Sequence, residues 1–101
     1  MTLIPKGWSL FTVDIEYTVP FEQVQAVLEP HMDFVRRAYA ERRFLASGPK
    51  VPRTGGMVVM MAPSLEEAHD YLSADPFVTA NVADVRITQF LPNNLHPALK
   101  A

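Results

Sequence analysis

The apolar run MVVMMA, residues 57–62, constrains the fold of this chain more than any other stretch. A strand with one polar face alternates between apolar and polar residues, whereas this run is apolar at every position. The polar, turn-rich loop KVPRTGG precedes it. The sequence therefore predicts a strand that is covered on both faces and lies in the interior of a sheet.

Two further segments alternate with the period of a half-buried strand. In residues 8–17, one side of the strand carries Phe11, Val13, Ile15 and Tyr17. The other side carries Leu10, Thr12, Asp14 and Glu16. Residues 83–91, ADVRITQFL, repeat the alternation and predict the last strand. The segment RFLASGP, residues 43–49, predicts a short strand that ends at Gly48-Pro49.

Helical patterns separate these strands. One helix begins after Pro20, and Pro30 interrupts it. Pro30 is tolerated if it opens a new helix, which would force Glu29 out of helical geometry and continue to about residue 43. Another helix is predicted in PSLEEAHDYLSA, because Ser64 and Glu67 have the spacing of a capping box.

The resulting order is strand, helix, strand, strand, helix, strand. Since split β-α-β units need right-handed crossovers, the economical solution is a four-stranded antiparallel sheet with both helices on one face. We predict a ferredoxin-like α+β sandwich with strand order 4-1-3-2, as a single domain over residues 1–101. Residues 1–7 would be an N-terminal extension, and residues 92–101 a C-terminal tail without periodicity.

The other side of the sheet, which carries Leu10, Thr12, Asp14 and Glu16, is predicted to lack helices, and we call it the helix-free face. Trp8 and Phe90 also fall on this side. A bare apolar face of this size is typical of a partner surface, so we expect a homodimer with sheet facing sheet. Arg86 of the last strand is expected near Asp14 and Glu16 on the same face.

Composition and charge exclude several classes of function. Nine basic and eleven acidic side chains give a net charge of −2, and the scattered cations give no footprint for nucleic acid. No apolar run approaches the roughly eighteen residues of a membrane span. The N-terminal MTLIPKGW lacks the apolar region of a signal peptide, so a cytoplasmic location is expected.

The sequence also predicts no cofactor and no metal site. Cysteine is absent, which removes thiol catalysis and thiolate ligands. The three histidines have neither H-x-H nor H-x-x-x-H spacing, and no glycine-rich phosphate loop follows a strand. Ser47 does not stand at a strand-to-helix elbow, which argues against an acyl-transfer serine.

His31 is the one histidine in a position that favours chemistry. It follows Pro30 at a helix start, where outward-pointing backbone N–H groups favour a neutral ring, and a neutral imidazole is a usable base. The competing interpretation is a surface histidine. His69 and His96 are expected to be solvated surface groups.

Three segments resemble the YCII-related family of small bacterial proteins: HMDFVRRAYAERRFLASGP, GGMVVMMAPSLEEAHDYLSADPFVTANV and VRITQF. The most specific parts are a helix histidine sixteen residues before Ser-Gly-Pro, a Ser-x-Glu-Glu-Ala helix, and Asp-Pro-Phe ahead of the last strand. The resemblance extends from the first strand through Phe90.

The resemblance implies a ferredoxin-like dimer of the α+β barrel type, related to muconolactone isomerase and other small ring-handling enzymes. It also implies that His31 and Asp75 meet in a pocket as a catalytic pair. At least one member of the family removes chloride from a chlorinated hydroquinone-type ring. The predicted substrate-binding residues are Ser47, Gly48, Pro49, Phe77 and Arg86. Many relatives carry a basic residue just before the histidine helix, whereas residues 20–30 here contain no Arg or Lys.

Asp75 has two interpretations. It can simply cap the helical turn that Pro76 opens. Alternatively, one carboxylate oxygen caps this turn and the other accepts a hydrogen bond from His31, which fixes the tautomer and stabilises the imidazolium.

Three functions are compatible with these features. The first is a cofactor-independent lyase or isomerase that moves a proton on a cyclic or enolisable organic acid, with His31 as base, Asp75 as its orienter and backbone N–H groups near Gly48 as an oxyanion site. The alternative is a non-catalytic dimeric module that binds a small metabolite or regulates a partner. A dimeric scaffold is the third.

Overall fold

Strands and helices follow one another in the predicted order in the computed structural model, which describes residues 2–100, with one helical turn added in the tail. The strands are β1 (Ser9–Tyr17), β2 (Phe44–Pro49), β3 (Gly55–Ala62) and β4 (Ala83–Phe90). The helices are α1 (Phe21–Gln25), α2 (Leu28–Ala40), α3 (Leu65–Leu72), α4 (Pro76–Thr79) and α5 (Pro97–Lys100).

The four strands form one antiparallel sheet in the order β2-β3-β1-β4, which confirms the predicted order 4-1-3-2. The apolar run of β3 lies between β2 and β1, as its lack of alternation predicted. The strand also includes Gly55 and Gly56, which the sequence placed in the preceding loop. Gly55 is buried, and a Cβ there would overlap the backbone carbonyl oxygen of Ile15 on β1.

The main core lies between one face of the sheet and the helices. The fully buried residues Phe11 and Val13 of β1 and Met60 of β3 contribute to it from the sheet. Phe34 of α2 and Leu72 of α3 pack against it from the helix layer. The odd-numbered residues of β1 therefore face the helices, as the alternation predicted.

The second helical segment begins earlier and ends earlier than the sequence predicted. It starts at Leu28, so Glu29 is helical and Pro30 lies in the first turn, where a missing N–H costs no intrahelical bond. It ends at Ala40, because Arg42 has a φ of 58° and the N–H of Arg43 donates to the carbonyl of Ala38. This hydrogen bond and the left-handed Arg42 after the helix form a Schellman termination.

The helix-free face is not bare at the end that contains Leu10, contrary to expectation. Ile4, Leu10 and Met61 form a second buried cluster there, and Trp8 and Leu95 pack against it. Segments from both ends of the chain thus cover this part of the sheet. The prediction overlooked this cover because neither segment has a periodic pattern.

The remainder of the helix-free face combines charge with exposed apolar side chains. Asp14 lies directly opposite Arg86 in the β1–β4 ladder, as predicted, and forms an ion pair with Lys50. Met57 and Phe90 are 39% and 42% exposed.

In the described part of the chain, no helix combines the length and the apolar character that crossing a membrane requires.

Replacing Gly55 with Ala is expected to lower the free energy of unfolding by about 1–3 kcal/mol. The added Cβ would overlap a backbone atom, which cannot move without disturbing the β1–β3 ladder. Urea denaturation measures the change. Gly48→Ala is the matched control, since a Cβ there meets nothing within 4 Å, and its effect should stay within about 0.5 kcal/mol. Equal unfolding midpoints for the two variants would contradict this close approach.

Candidate active site

His31 lies in the first half of α2, one residue after Pro30. Because the helix begins at Leu28 rather than at Pro30, His31 is its fourth residue, and its backbone N–H donates to the carbonyl of Val27 at 3.0 Å. The side chain is 12% exposed, so the imidazole is largely enclosed yet reaches the surface of a cavity. The interpretation of His31 as an ordinary surface histidine is therefore wrong.

Asp75 lies immediately before α4, and its carboxylate caps this short helix. Its Oδ1 accepts a hydrogen bond from the backbone N–H of Phe77 at 2.9 Å. Pro76 occupies the first helical position, where its fixed φ suits the start of a helix. The Asp75 side chain is only 3% exposed, so the carboxylate needs its partners to offset the loss of water.

The side chains of His31 and Asp75, 44 residues apart in the sequence, are in direct contact, as the resemblance implied. The distance between His31 Nδ1 and Asp75 Oδ1 is 2.7 Å. One detail differs from the expectation that one carboxylate oxygen would cap α4 and the other would accept from His31. Oδ1 accepts from both Phe77 and His31, because α4 and the imidazole approach Asp75 from the same side.

This contact determines which imidazole nitrogen carries the proton in the neutral ring. An ionised carboxylate can only accept hydrogen bonds, so Nδ1 of His31 is the donor. The lone pair of a neutral ring is then on Nε2. Nε2 has no hydrogen-bond partner among residues 2–100, which leaves it available to a molecule in the cavity.

Phe77 fixes the plane of the imidazole. Its ring stacks on that of His31 with a centroid distance of 3.6 Å and an angle of 2° between the planes. Phe77 is buried and meets Tyr17 edge-on at 5.9 Å. The histidine is therefore held by a hydrogen bond in its plane and by an aromatic ring on one face, which together restrict its rotation.

A cavity of about 270 Å³ adjoins His31 and is bounded by α2, the ends of β2 and β3, and the loop between these strands. Most of its surface is apolar. Its lining consists of Ile15, Tyr17, Leu28, His31, Met32, Val35, Ser47, Gly48, Pro49, Arg53, Gly55, Gly56, Met57, Val58 and Phe77. Asp75 is absent from this lining and lies behind His31, so its action on a ligand would pass through the imidazole.

Four of the five residues predicted to bind substrate line this cavity: Ser47, Gly48, Pro49 and Phe77. The hydroxyl groups of Ser47 and Tyr39 are hydrogen-bonded at 2.8 Å, which positions the serine at the cavity wall. Arg86, the fifth predicted residue, is not among the residues that line this cavity. Arg86 lies opposite Asp14 on the helix-free face, whereas the cavity opens between the sheet and α2.

Arg53 lines the cavity and was not predicted to do so. It belongs to the loop between β2 and β3, and its guanidinium carbon lies 4.8 Å from the centroid of the Phe21 ring. The motif KVPRTGG predicts turns, but no local pattern indicates that this loop folds over a cavity. The structure thus places the guanidinium of Arg53 beside Phe21, which belongs to residues 20–30, a segment that contains no Arg or Lys.

The other two histidines lie outside the cavity, as expected. His69 is in the last turn of α3, and Nδ1 of His96 accepts a hydrogen bond from the backbone N–H of Ala98 in the tail. Within residues 2–100, no group of three or more His, Cys, Asp or Glu side chains could hold a metal ion.

Comparison with known proteins identifies relatives across most of this architecture. A family model described as the YCII-related domain matches residues 8–91. The chain is 38% identical over 60 residues to the uncharacterized protein YjpA of Bacillus subtilis, covering 59% of this chain and 71% of the relative. It is 33% identical over 92 residues to an uncharacterized protein of Haemophilus influenzae, covering 80% of this chain and 92% of the relative.

A solved structure shares the fold. It is 5-chloro-2-hydroxyhydroquinone dehydrochlorinase from Burkholderia phenoliruptrix in complex with 2,5-dihydroxybenzoquinone. The TM-score is 0.69 at 21% sequence identity, over 80% of this chain and 92% of that chain. The sheet order and this likeness establish the ferredoxin-like α+β fold. Since the family model spans most of the chain, the protein belongs to the YCII-related domain family.

Proposed function

We propose that this protein is a cofactor-independent enzyme that transfers a proton on a small cyclic or enolisable organic substrate. His31 is the general base and Asp75 is its positioning residue. The observation that carries the proposal is the 2.7 Å contact between Nδ1 and a buried carboxylate, with the opposite edge of the ring beside a cavity.

The chemistry follows from the tautomer. The Nε2 lone pair takes a proton from the substrate, and the electrons of the broken bond become an enolate or a new double bond. The imidazolium formed in this step is stabilised by the Asp75 carboxylate behind it. Returning the proton at another atom completes an isomerisation, whereas departure of an anion completes an elimination. Backbone N–H groups near Gly48 and the hydroxyl group of Ser47 are candidates to stabilise the negative oxygen.

The size and character of the cavity favour a single ring as substrate. An apolar cavity of about 150 Å³ accommodates benzene, so about 270 Å³ leaves room for a ring with substituents. The dehydrochlorinase that shares the fold is bound to a quinone ring of this size class. This likeness supports a cyclic substrate for the present chain.

The first test is turnover on a panel of lactones and halogenated phenols. His31→Ala is expected to lower the rate by a factor of about 10² to 10⁴, the usual contribution of a general base. Asp75→Asn should also lower the rate while it keeps an oxygen that can cap α4. His69→Ala, on the exposed side of α3, is the control and should leave the rate unchanged.

Stability separates the two roles of Asp75. Asp75→Ala is expected to lower the free energy of unfolding by about 1 kcal/mol or more through loss of the cap, whereas Asp75→Asn should cost less.

Binding that occurs without turnover, and that persists in His31→Ala, would favour the non-catalytic binding module instead.

We also propose a homodimer in which the exposed part of the helix-free face packs against a second copy. Met57 and Phe90 are partly exposed there. The alternative of a monomer would leave these apolar side chains in water. Because the chain's own ends cover Leu10, the interface we propose excludes the buried cluster. It extends from Phe90, which lies opposite Leu10 in the β1–β4 ladder, to Met57, which lies opposite Asp14 in the β1–β3 ladder.

The dimer is tested by light scattering at micromolar concentration. Phe90→Asp is expected to halve the measured mass, since it would bury a carboxylate against an apolar surface. Leu65→Asp is the matched control because Leu65 is similarly exposed, at 39%, but lies on α3 in the helix layer. A wild-type protein of monomer mass would overturn this proposal.

A further inference from the structure

A series of pairwise aromatic contacts connects Arg53 to His31. The guanidinium of Arg53 lies over the ring of Phe21, and the rings of Phe21 and Tyr17 are 6.0 Å apart. Tyr17 in turn meets Phe77, which stacks on His31. Since both His31 and Arg53 line the cavity, a ligand held there would have the base and the cation on its boundary.

Arg53 supplies the one permanent charge among the side chains that line the cavity within the described residues. The lining contains no Asp, Glu or Lys. Arg53 also has no carboxylate partner in the described part of the chain. Lys50, in the same loop region, is occupied by its ion pair with Asp14.

The contact with Phe21 leaves the hydrogen-bonding capacity of Arg53 intact. A cation–π contact uses the face of the guanidinium, whereas its N–H groups point outward in its plane. These donors form a rigid fork that matches the two oxygens of a carboxylate. Phe21 thus orients the guanidinium without occupying the donors that a ligand would use.

We propose that Arg53 binds a carboxylate on the ligand and restricts the substrate class to ring compounds that bear this group. This inference rests on one part of the proposed function, namely that the cavity beside His31 is the ligand site. Arg53 would act as a specificity-determining residue, because it holds one end of the ligand while the other end lies beside Nε2 of His31.

The test compares two nearly isosteric probes, benzoate and the neutral benzamide. Binding is followed by the NMR resonances of the His31 ring, which are identified by their loss in His31→Gln. The wild-type protein is expected to bind benzoate at least tenfold more tightly than benzamide. Added salt should weaken benzoate binding and leave benzamide binding unchanged, since it screens the charge pair.

Substitutions then assign the effect to Arg53. Arg53→Gln is expected to lower benzoate affinity at least tenfold and to change benzamide affinity less than twofold. Arg53→Lys should retain part of the preference, because it keeps the charge and loses the planar fork. Arg36→Gln is the control, since Arg36 is exposed on α2 and pairs there with Asp33.

The outcomes distinguish this inference from the proposed function. Equal affinity for benzoate and benzamide, with His31 resonances shifted by both, would overturn the carboxylate site and leave the cavity as a ligand site. Benzoate affinity that is unchanged in Arg53→Gln would overturn it as well. Arg53-dependent benzoate binding would support the inference even if no turnover is found for any substrate. If neither probe shifts the His31 resonances, the carboxylate site and the cavity as a site for single rings both fail.

Discussion

One carboxylate oxygen, Oδ1 of Asp75, links the fold of this protein to its candidate site. It accepts a hydrogen bond from the backbone of α4 and another from His31 on α2. Because Asp75 is buried, its carboxylate must make these hydrogen bonds. Removing a carboxylate from water is costly in free energy unless it is hydrogen-bonded. The same atom therefore stabilises the start of a helix, holds two elements together and orients the imidazole.

The cavity beside the His31–Asp75 pair has a wall of bare backbone beneath α2. Gly56 contributes to this wall, because it pairs with Ile15, which faces the helices, and carries no side chain. The adjacent Gly55 has no room for a side chain, since the neighbouring strand comes too close there. Phe77 and Tyr17 give the cavity aromatic walls.

The two faces of the sheet differ in how well their environment could be predicted. The face toward the helices followed from alternation in β1, since Phe11, Val13 and Ile15 must avoid water together. The helix-free face was predicted to be bare, but Ile4 and Leu95 lie on it. Irregular segments have no period that reveals what they cover, so only the folded chain shows that Leu10 is already enclosed.

The sequence by itself determined the strands, their order and the interior place of β3, because apolar periodicity and turn residues act locally and admit few topologies. It also determined the caps at Ser64 and Asp75, where side chain and backbone are neighbours. Motif resemblance, rather than local physics, indicated that His31 meets Asp75. The tertiary structure alone decided that both hydrogen bonds share one oxygen, that Arg86 faces away from the cavity and that Arg53 faces it. These features depend on how distant elements pack, and no short-range pattern in the chain encodes that packing.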